Sequence, residues 1–422
     1  MPERIHAVPL ESLVSEKISY GVVQPGTPEV DGIPIVRVKD VRDGKINTSD
    51  PLVISCDVEQ KYARTRLRGG EVLLTLVGSV GEVAVASEEI CGWNVARAIA
   101  VVRPSSEVTA QWLRLILSSD PAQQYFHDRL NTTVQATLNL KDVRTLPVPM
   151  PPRRERDAVC AVVGALDDKI AVNERIAATA DALARATFSA RFQAGLDMVS
   201  HGRPLPGGWR AAALGEAAST IESGRRPKGG VAGFSEGVPS VGAESISGLA
   251  KFDYSKTKFV PREFFASLKK GVVRDRDILV YKDGGRPGEF NPKVTLFGSG
   301  FPYGELCINE HVYLVRMGSE TSQAFGFYWL SSIPVMGEMR KLGTGVAIPG
   351  MNSTAFKSLP VAIPPASEIE AFGCQADVLI DRALIAANES KALASLRDTL
   401  LPQLMSGRLR VKDAEKIVED HV

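Results

Sequence analysis

A seven-residue segment, Leu146-Pro147-Val148-Pro149-Met150-Pro151-Pro152, returns in the second half of the chain as Leu359-Pro360-Val361-Ala362-Ile363-Pro364-Pro365. The shift from 146 to 359 is 213 positions, and it also places Asn139 on Asn352 and Glu155 on Glu368. Upstream, Gly32-Ile33-Pro34-Ile35-Val36 pairs with Gly237-Val238-Pro239-Ser240-Val241, and Gly70-Glu71-Val72-Leu73-Leu74 with Arg276-Asp277-Ile278-Leu279-Val280, at slightly shorter shifts. Such a duplication fixes the architecture before any motif is weighed: two similar units with unequal loops. A chain of 422 residues has room for two or three domains, and 44% hydrophobic with 23% charged residues is a core-forming composition.

Each unit changes character at its double proline. Before it lie short β-rich runs, among them Pro34–Val38, Glu71–Val77, Ala98–Val102, Ile278–Tyr281 and Val312–Val315, with helical patches near Gln111–Leu117 and Ser322–Leu330. After it, apolar residues recur at helical spacing: Val159, Val162, Val163, Leu166, Ile170, Ile176, Ala180, Leu183 and Ala184 in the first unit. In the second, Ile369, Phe372, Ala376, Leu379, Ala383, Ala386, Ser390, Leu393 and Leu400 step by threes and fours until Arg397 interrupts them. The fold class expected is α+β, two mixed modules separated by two long helices. Each helix, of about 36 to 40 residues, would run about 55–60 Å. A single apolar stripe of that length needs a partner, so the helices are expected to pair with each other as an antiparallel coiled coil related by a pseudo-twofold axis.

The bulk numbers narrow the function by exclusion. Lys and Arg total 50 against 49 Asp and Glu, a formal charge of +1, so any nucleic-acid contact must rely on local clusters. Such clusters exist at Arg64–Arg68, Arg225–Lys228, Lys256/Lys258 and Lys269/Lys270, although a solvated face is the commoner use of any one of them. Five scattered cysteines signal neither a disulfide framework nor a zinc site, and no apolar stretch or leader pattern points away from the cytoplasm. No phosphate-binding loop, H-E-x-x-H or methyltransferase Asn/Asp-Pro-Pro-aromatic loop is present. Gly233-Phe234-Ser235-Glu236-Gly237 fits the pattern of a hydrolase nucleophile elbow but sits in a loop that enters a strand, the reverse of what an elbow requires. Two glycine turns, Gly78-Ser79-Val80-Gly81 and Asp283-Gly284-Gly285-Arg286-Pro287-Gly288, correspond between units; each suits a plain hairpin or a close backbone approach to phosphate.

Four stretches resemble the DNA-specificity subunit of type I restriction-modification systems. They are Leu205-Pro206-Gly207-Gly208-Trp209 with Leu214-Gly215-Glu216; the polar loops 132–139 and 343–352 that run into the proline segments; Leu166-Asp167-Asp168-Lys169-Ile170; and Leu396 to Gly407. The last is the most specific. One departure is Glu155-Arg156 and Glu368-Ile369, where the family commonly has Glu-Gln. The resemblance implies target-recognition domains at 1–152 and 196–365, spacer helices at 153–195 and 366–407, and a C-terminal tail at 408–422. It implies that each domain reads half of a split double-stranded DNA site while the helices act as a ruler. One DNA turn separates half-sites by about 34–36 Å. Two methyltransferase subunits would bring S-adenosylmethionine, and nuclease subunits ATP and Mg; a methylation-only system is the close alternative. No cofactor, catalytic residue or metal ligand is assigned to this chain.

Residue type and loop position then select candidates. Arg64, Arg66, Arg68, Arg225, Arg226 and Lys228 suit phosphates, and Arg97, Gln135 and Arg286 suit base edges. Gly78, Ser79, Thr133, Lys282, Lys293 and Thr344 complete the DNA-binding set, while Leu166, Ile170, Ile176, Leu183, Leu379, Leu393 and Leu400 are the candidates for docking partner subunits. A non-DNA scaffold holding two ligand-binding modules is the competing class, but 6% aromatic residues provide little for stacking sugars. A stand-alone enzyme is the third class.

Overall fold

The computed structural model describes residues 6–42, 44–131, 135–284, 289–343 and 349–419. The chain divides into two compact units, Met1–Asp167 with Ser395–Val422, and Asp168–Ala394. Both divisions fall inside long helices, Arg153–His201 and Ala366–Met405.

In the first unit, an antiparallel sheet has the order Ser19–Tyr20, Ile99–Val102, Val72–Thr75, Val83–Val85. A second sheet places Ile33–Val36 antiparallel to Leu52–Ile54 and parallel to Asn94–Val95, and Ala7–Pro9 pairs with Pro147–Pro149. The second unit has the same plan. Its four-stranded sheet runs Ala218–Ser223, Val312–Met317, Ile278–Tyr281, Val294–Leu296. Val238–Val241 lies antiparallel to Lys258–Val260 and parallel to Cys307–Ile308, and Arg210–Ala213 pairs with Pro360–Ile363. The central strands are apolar on both faces because both faces are covered, so their sequences read as unbroken hydrophobic runs.

The recurring motifs acquire physical causes. A Cβ at Gly32 would lie 2.0 Å from the Ile54 carbonyl oxygen, and one at Gly237 would lie 2.3 Å from that of Val260, so the strand crossing admits only glycine. The acid that opens each central strand is buried and does the same work twice. Glu71 accepts from Arg68 N at 2.8 Å and faces Arg103 Nε at 3.4 Å; Asp277 accepts from Arg274 N at 2.8 Å and is gripped by Arg316 Nε and Nη2 at 2.7 and 2.6 Å. Each arginine also donates to a carbonyl in the segment before its partner strand, Arg66 O and Val272 O. Each module helix is capped at corresponding positions, by Thr109 on Trp112 N and Ser322 on Phe325 N. Trp112 and Trp329 then donate to Pro149 O and Pro360 O, tying helix to proline strand.

Within the second unit the two long helices run antiparallel: Lys169 meets Glu389 at 3.1 Å and Arg191 meets Gln375 at 3.2 Å. Phe188, Phe192 and Phe372 join Phe325, Tyr328 and Trp329 in a buried aromatic cluster. Within the first unit Arg397, which breaks the apolar rhythm, donates to Asp167 at 2.9 Å, and Arg114 holds the other oxygen of that carboxylate at 2.6 Å. The interruption is an ion pair that replaces an apolar contact.

Three expectations shift. The first helix does not stop near 195: it breaks at Phe192 (φ −112°, ψ 21°) and continues to His201, because Leu196, Met198 and Val199 extend the apolar face against the core, and Gly202 at φ +64° ends it. The 408–422 tail contains a helix, Val411–Glu419. Ile380, not Leu379, is the fully buried residue of its turn. Gly233–Gly237 is a turn that enters the strand Val238–Val241, as the sequence implied, so no nucleophile elbow forms. Among the described residues no helix is long and apolar enough to cross a membrane. Asp277→Ala strands a mostly buried guanidinium and is expected to cost about 3 kcal/mol of stability, read by urea denaturation; a loss under 1 kcal/mol would contradict the role given to the pair.

Candidate nucleic-acid interface

In the first unit the strands Val72–Thr75 and Val83–Val85 are joined by a turn with Gly78 at φ +77° and Gly81 at φ +95°. Buried Thr75 pins it from below, its hydroxyl donating to Ser79 O and accepting from Glu82 N. The polar loop lies along the turn: Gly78 N donates to Ala136 O at 3.2 Å, and Leu138 N to Leu76 O at 2.8 Å. Gln135 Nε2 stands 3.2 Å from where a Cβ on Gly78 would be. Gly78, Ser79 and Gln135 are thus brought together, and Thr133 lies outside the described residues. Arg97 is on the same rim, since its neighbour Ala98 accepts from Leu76 N at 2.6 Å. Its exposed guanidinium has no partner among the described residues.

The three arginines at 64–68 separate. Arg64 is exposed, and only its backbone carbonyl is engaged, by Arg103. Arg68 pairs with Glu16 at 2.6 Å, a surface pair that contributes little and leaves the guanidinium open to exchange for a phosphate. Arg66 is engaged differently. It is committed to buried Glu59 through Nε at 2.9 Å and through Nη2, and Asn94 adds a bond at 3.0 Å. Arg66 first, then Asn94, hold the Glu59 carboxyl below the ordinary glutamate range against the opposing effect of burial. Sequence cannot separate these roles, because the carboxylate partner stands seven positions away on another element.

In the second unit Arg225 lies over the Phe264 ring at 5.4 Å and donates to Ser267. Arg226 pairs with Glu310 at 3.1 Å, and Lys282 donates to Glu310 O at 3.0 Å while standing over Tyr313. Lys228 and Lys293 are exposed without partners among the described residues, and Arg286 and Thr344 lie outside those residues. The loops meet as in the first unit, with Gly284 N on Pro349 O at 3.0 Å and Met351 N on Lys282 O at 2.9 Å. Sequence reasoning looked for cations and missed the acids between them. His311 Nδ1 is hydrogen-bonded to Asp283 Oδ1, and its Nε2 stands 3.4 Å from Glu310 Oε1. Burial pushes the nearby Glu244 carboxyl up, but the Lys258 ammonium, a backbone hydrogen bond and the Arg226 charge together leave it below its usual range. Among the described residues no group of three or more side chains is arranged to hold a metal.

The helix candidates for partner docking divide by burial. Leu166, Leu393 and Leu400 are enclosed, which removes them from a docking surface; the same periodicity that selected them puts them inside the packing. Ile170, Ile176 and Leu379 are half-buried, and Leu183 faces out at 54% exposure. Val172, Val378 and Ile385 are also exposed and were not among the candidates.

No family model matches the chain. A stretch of 143 residues, 34% of this chain, is 34% identical to the type I restriction enzyme EcoBI specificity subunit of Escherichia coli and spans 30% of that protein's length. Over 94% of the chain and 92% of the relative, identity is 22% to the putative type I restriction enzyme MjaX specificity subunit of Methanocaldococcus jannaschii. The crystal structure of the type I restriction-modification S subunit from M. genitalium matches over 96% of this chain and 97% of that one, with TM-score 0.52 and 14% identity, a likeness of fold.

Arg66→Ala is expected to lower the melting temperature at neutral pH by stranding Glu59. A depressed carboxyl contributes stability above its unfolded value, about 4.3, that is lost as pH falls through the folded value. The gap between wild type and variant should therefore narrow on acidification below about pH 4.3, and a gap that stays constant down to about pH 3 would contradict the assignment.

Proposed function

We propose, from the chain's likeness to type I restriction specificity subunits, that it reads a two-part asymmetric DNA sequence and performs no chemistry itself. The observation that carries this reading is the duplicated strand frame, each copy presenting a glycine turn beside a polar loop and leading through a proline strand into one of two long helices. Each unit reads one half-site, and the helices set the distance between halves. Two methyltransferase subunits dock on the helices and bring S-adenosylmethionine; nuclease subunits, where the system has them, bring ATP and Mg.

Phosphate contacts position such a protein and base edges specify it. Arg64, Arg68, Arg225 and Lys228, exposed on the two units, are assigned to phosphates. The near-zero net charge fits a subunit whose partners supply much of the phosphate attraction. Mapping adenine methylation across the host genome with the gene present and deleted tests the reading. A split, asymmetric motif methylated in the parent and unmethylated in the deletion strain is expected, and an unchanged methylation pattern would contradict it.

A further inference from the structure

Because the two units share one frame, corresponding backbone positions can be compared within a single chain. Leu76 N donates to Ala98 O as Lys282 N donates to His311 O; Leu138 N donates to Leu76 O as Met351 N donates to Lys282 O; Gly78 N donates to Ala136 O as Gly284 N donates to Pro349 O. The strand registers agree, with Ile99 opposite Thr75 and Val312 opposite Tyr281. Leu76, Val77, Arg97 and Ala98 of the first unit therefore occupy the places of Lys282, Asp283, Glu310 and His311 of the second.

Below this rim the chemistry is preserved: apolar central strands, and an arginine paired in charge with the acid that opens the strand. At the rim it inverts. One arginine among aliphatic residues faces, in the other copy, two carboxylates, a histidine and a lysine. We propose that three of these corresponding positions, Val77, Arg97 and Ala98 in the first unit and Asp283, Glu310 and His311 in the second, are the base-reading determinants of the two units, so that one frame reads two different half-sites; Leu76 is itself buried. The inference deepens the specificity-subunit reading and rests on it.

The side chains suit different bases. Exposed Arg97 offers the planar fork that fits guanine O6 and N7, beside half-buried Val77 and Ala98 that suit a thymine methyl. In the second unit the readers are held by one another: His311 between Asp283 and Glu310, and Glu310 by Arg226. Such mutual support pre-organises a contact. Carboxylates accept from the exocyclic amino groups of cytosine and adenine, which an arginine cannot do. The first half-site is therefore expected to fix a guanine, and the second an adenine or cytosine.

The test uses a deletion strain carrying the full-length wild-type gene or the variants Arg97→Ala, Arg97→Lys, Asp283→Asn and Glu310→Gln, with the methylated motif mapped in each. Both Arg97 variants should relax preference at one position of one half roughly 10-fold, since lysine keeps the charge and loses the fork. The other two should relax only the other half. An unaltered motif in all four overturns the assignment, as does equal degradation of both halves or loss of all methylation by Arg97→Ala with normal protein levels. A wild-type gene that restores no split motif sinks the specificity-subunit reading and the rim assignment with it, whereas a restored motif with indifferent variants sinks the rim alone.

Discussion

Two arginine–carboxylate pairs built on buried acids, Arg103 with Glu71 and Arg316 with Asp277, hold the frame on which everything else rests. Each links the two central antiparallel strands to the segment that precedes them, at the end opposite the glycine turn. A buried charge pair is not a cheap source of stability, and hydrophobic residues of similar volume often do as well. Its value is specification. An arginine that must satisfy an acid and a carbonyl at once tolerates no slip in strand register, and a slip by one residue would turn every rim side chain to the other face.

That division explains how the molecule can be duplicated and still asymmetric. The bonds that set the frame are backbone-to-backbone or come from residues repeated in both copies, so rim side chains can change without disturbing it. Leu76, Val77, Arg97 and Ala98 can become Lys282, Asp283, Glu310 and His311 because the corresponding hydrogen bonds at these positions run between backbone groups. Binding that must recognise varied sequences is served by such a separation of scaffold from reader.

Much of this was legible in the residues. The repeated proline segment, the glycine before each edge crossing and the three-four apolar rhythm each have a single dominant physical cause, so they survive translation into structure. What sequence left hidden depended on partners distant in the chain. Arg66 resembles Arg64 until Glu59 is placed against it, and Arg397 looks like a fault in a coiled coil until Asp167 meets it. Periodicity located the apolar stripes but could not tell the inner edge from the outer, which is why Leu166, Leu393 and Leu400 proved enclosed and Val378 exposed. Glu310 and His311 escaped notice because a search for DNA contacts favours cations, although the internal alignment would have set them opposite Arg97 and Ala98.

The central claim is that two unlike readers act jointly across a fixed gap. Its most direct test is a binding titration of the full chain, with the subunits that co-purify with it, against the duplex carrying its whole methylated motif. The comparison duplexes have one half scrambled, the other half scrambled, or the gap lengthened by one base pair. The account predicts that each change weakens binding at least roughly tenfold. Binding that survives the scrambling of either half would contradict it.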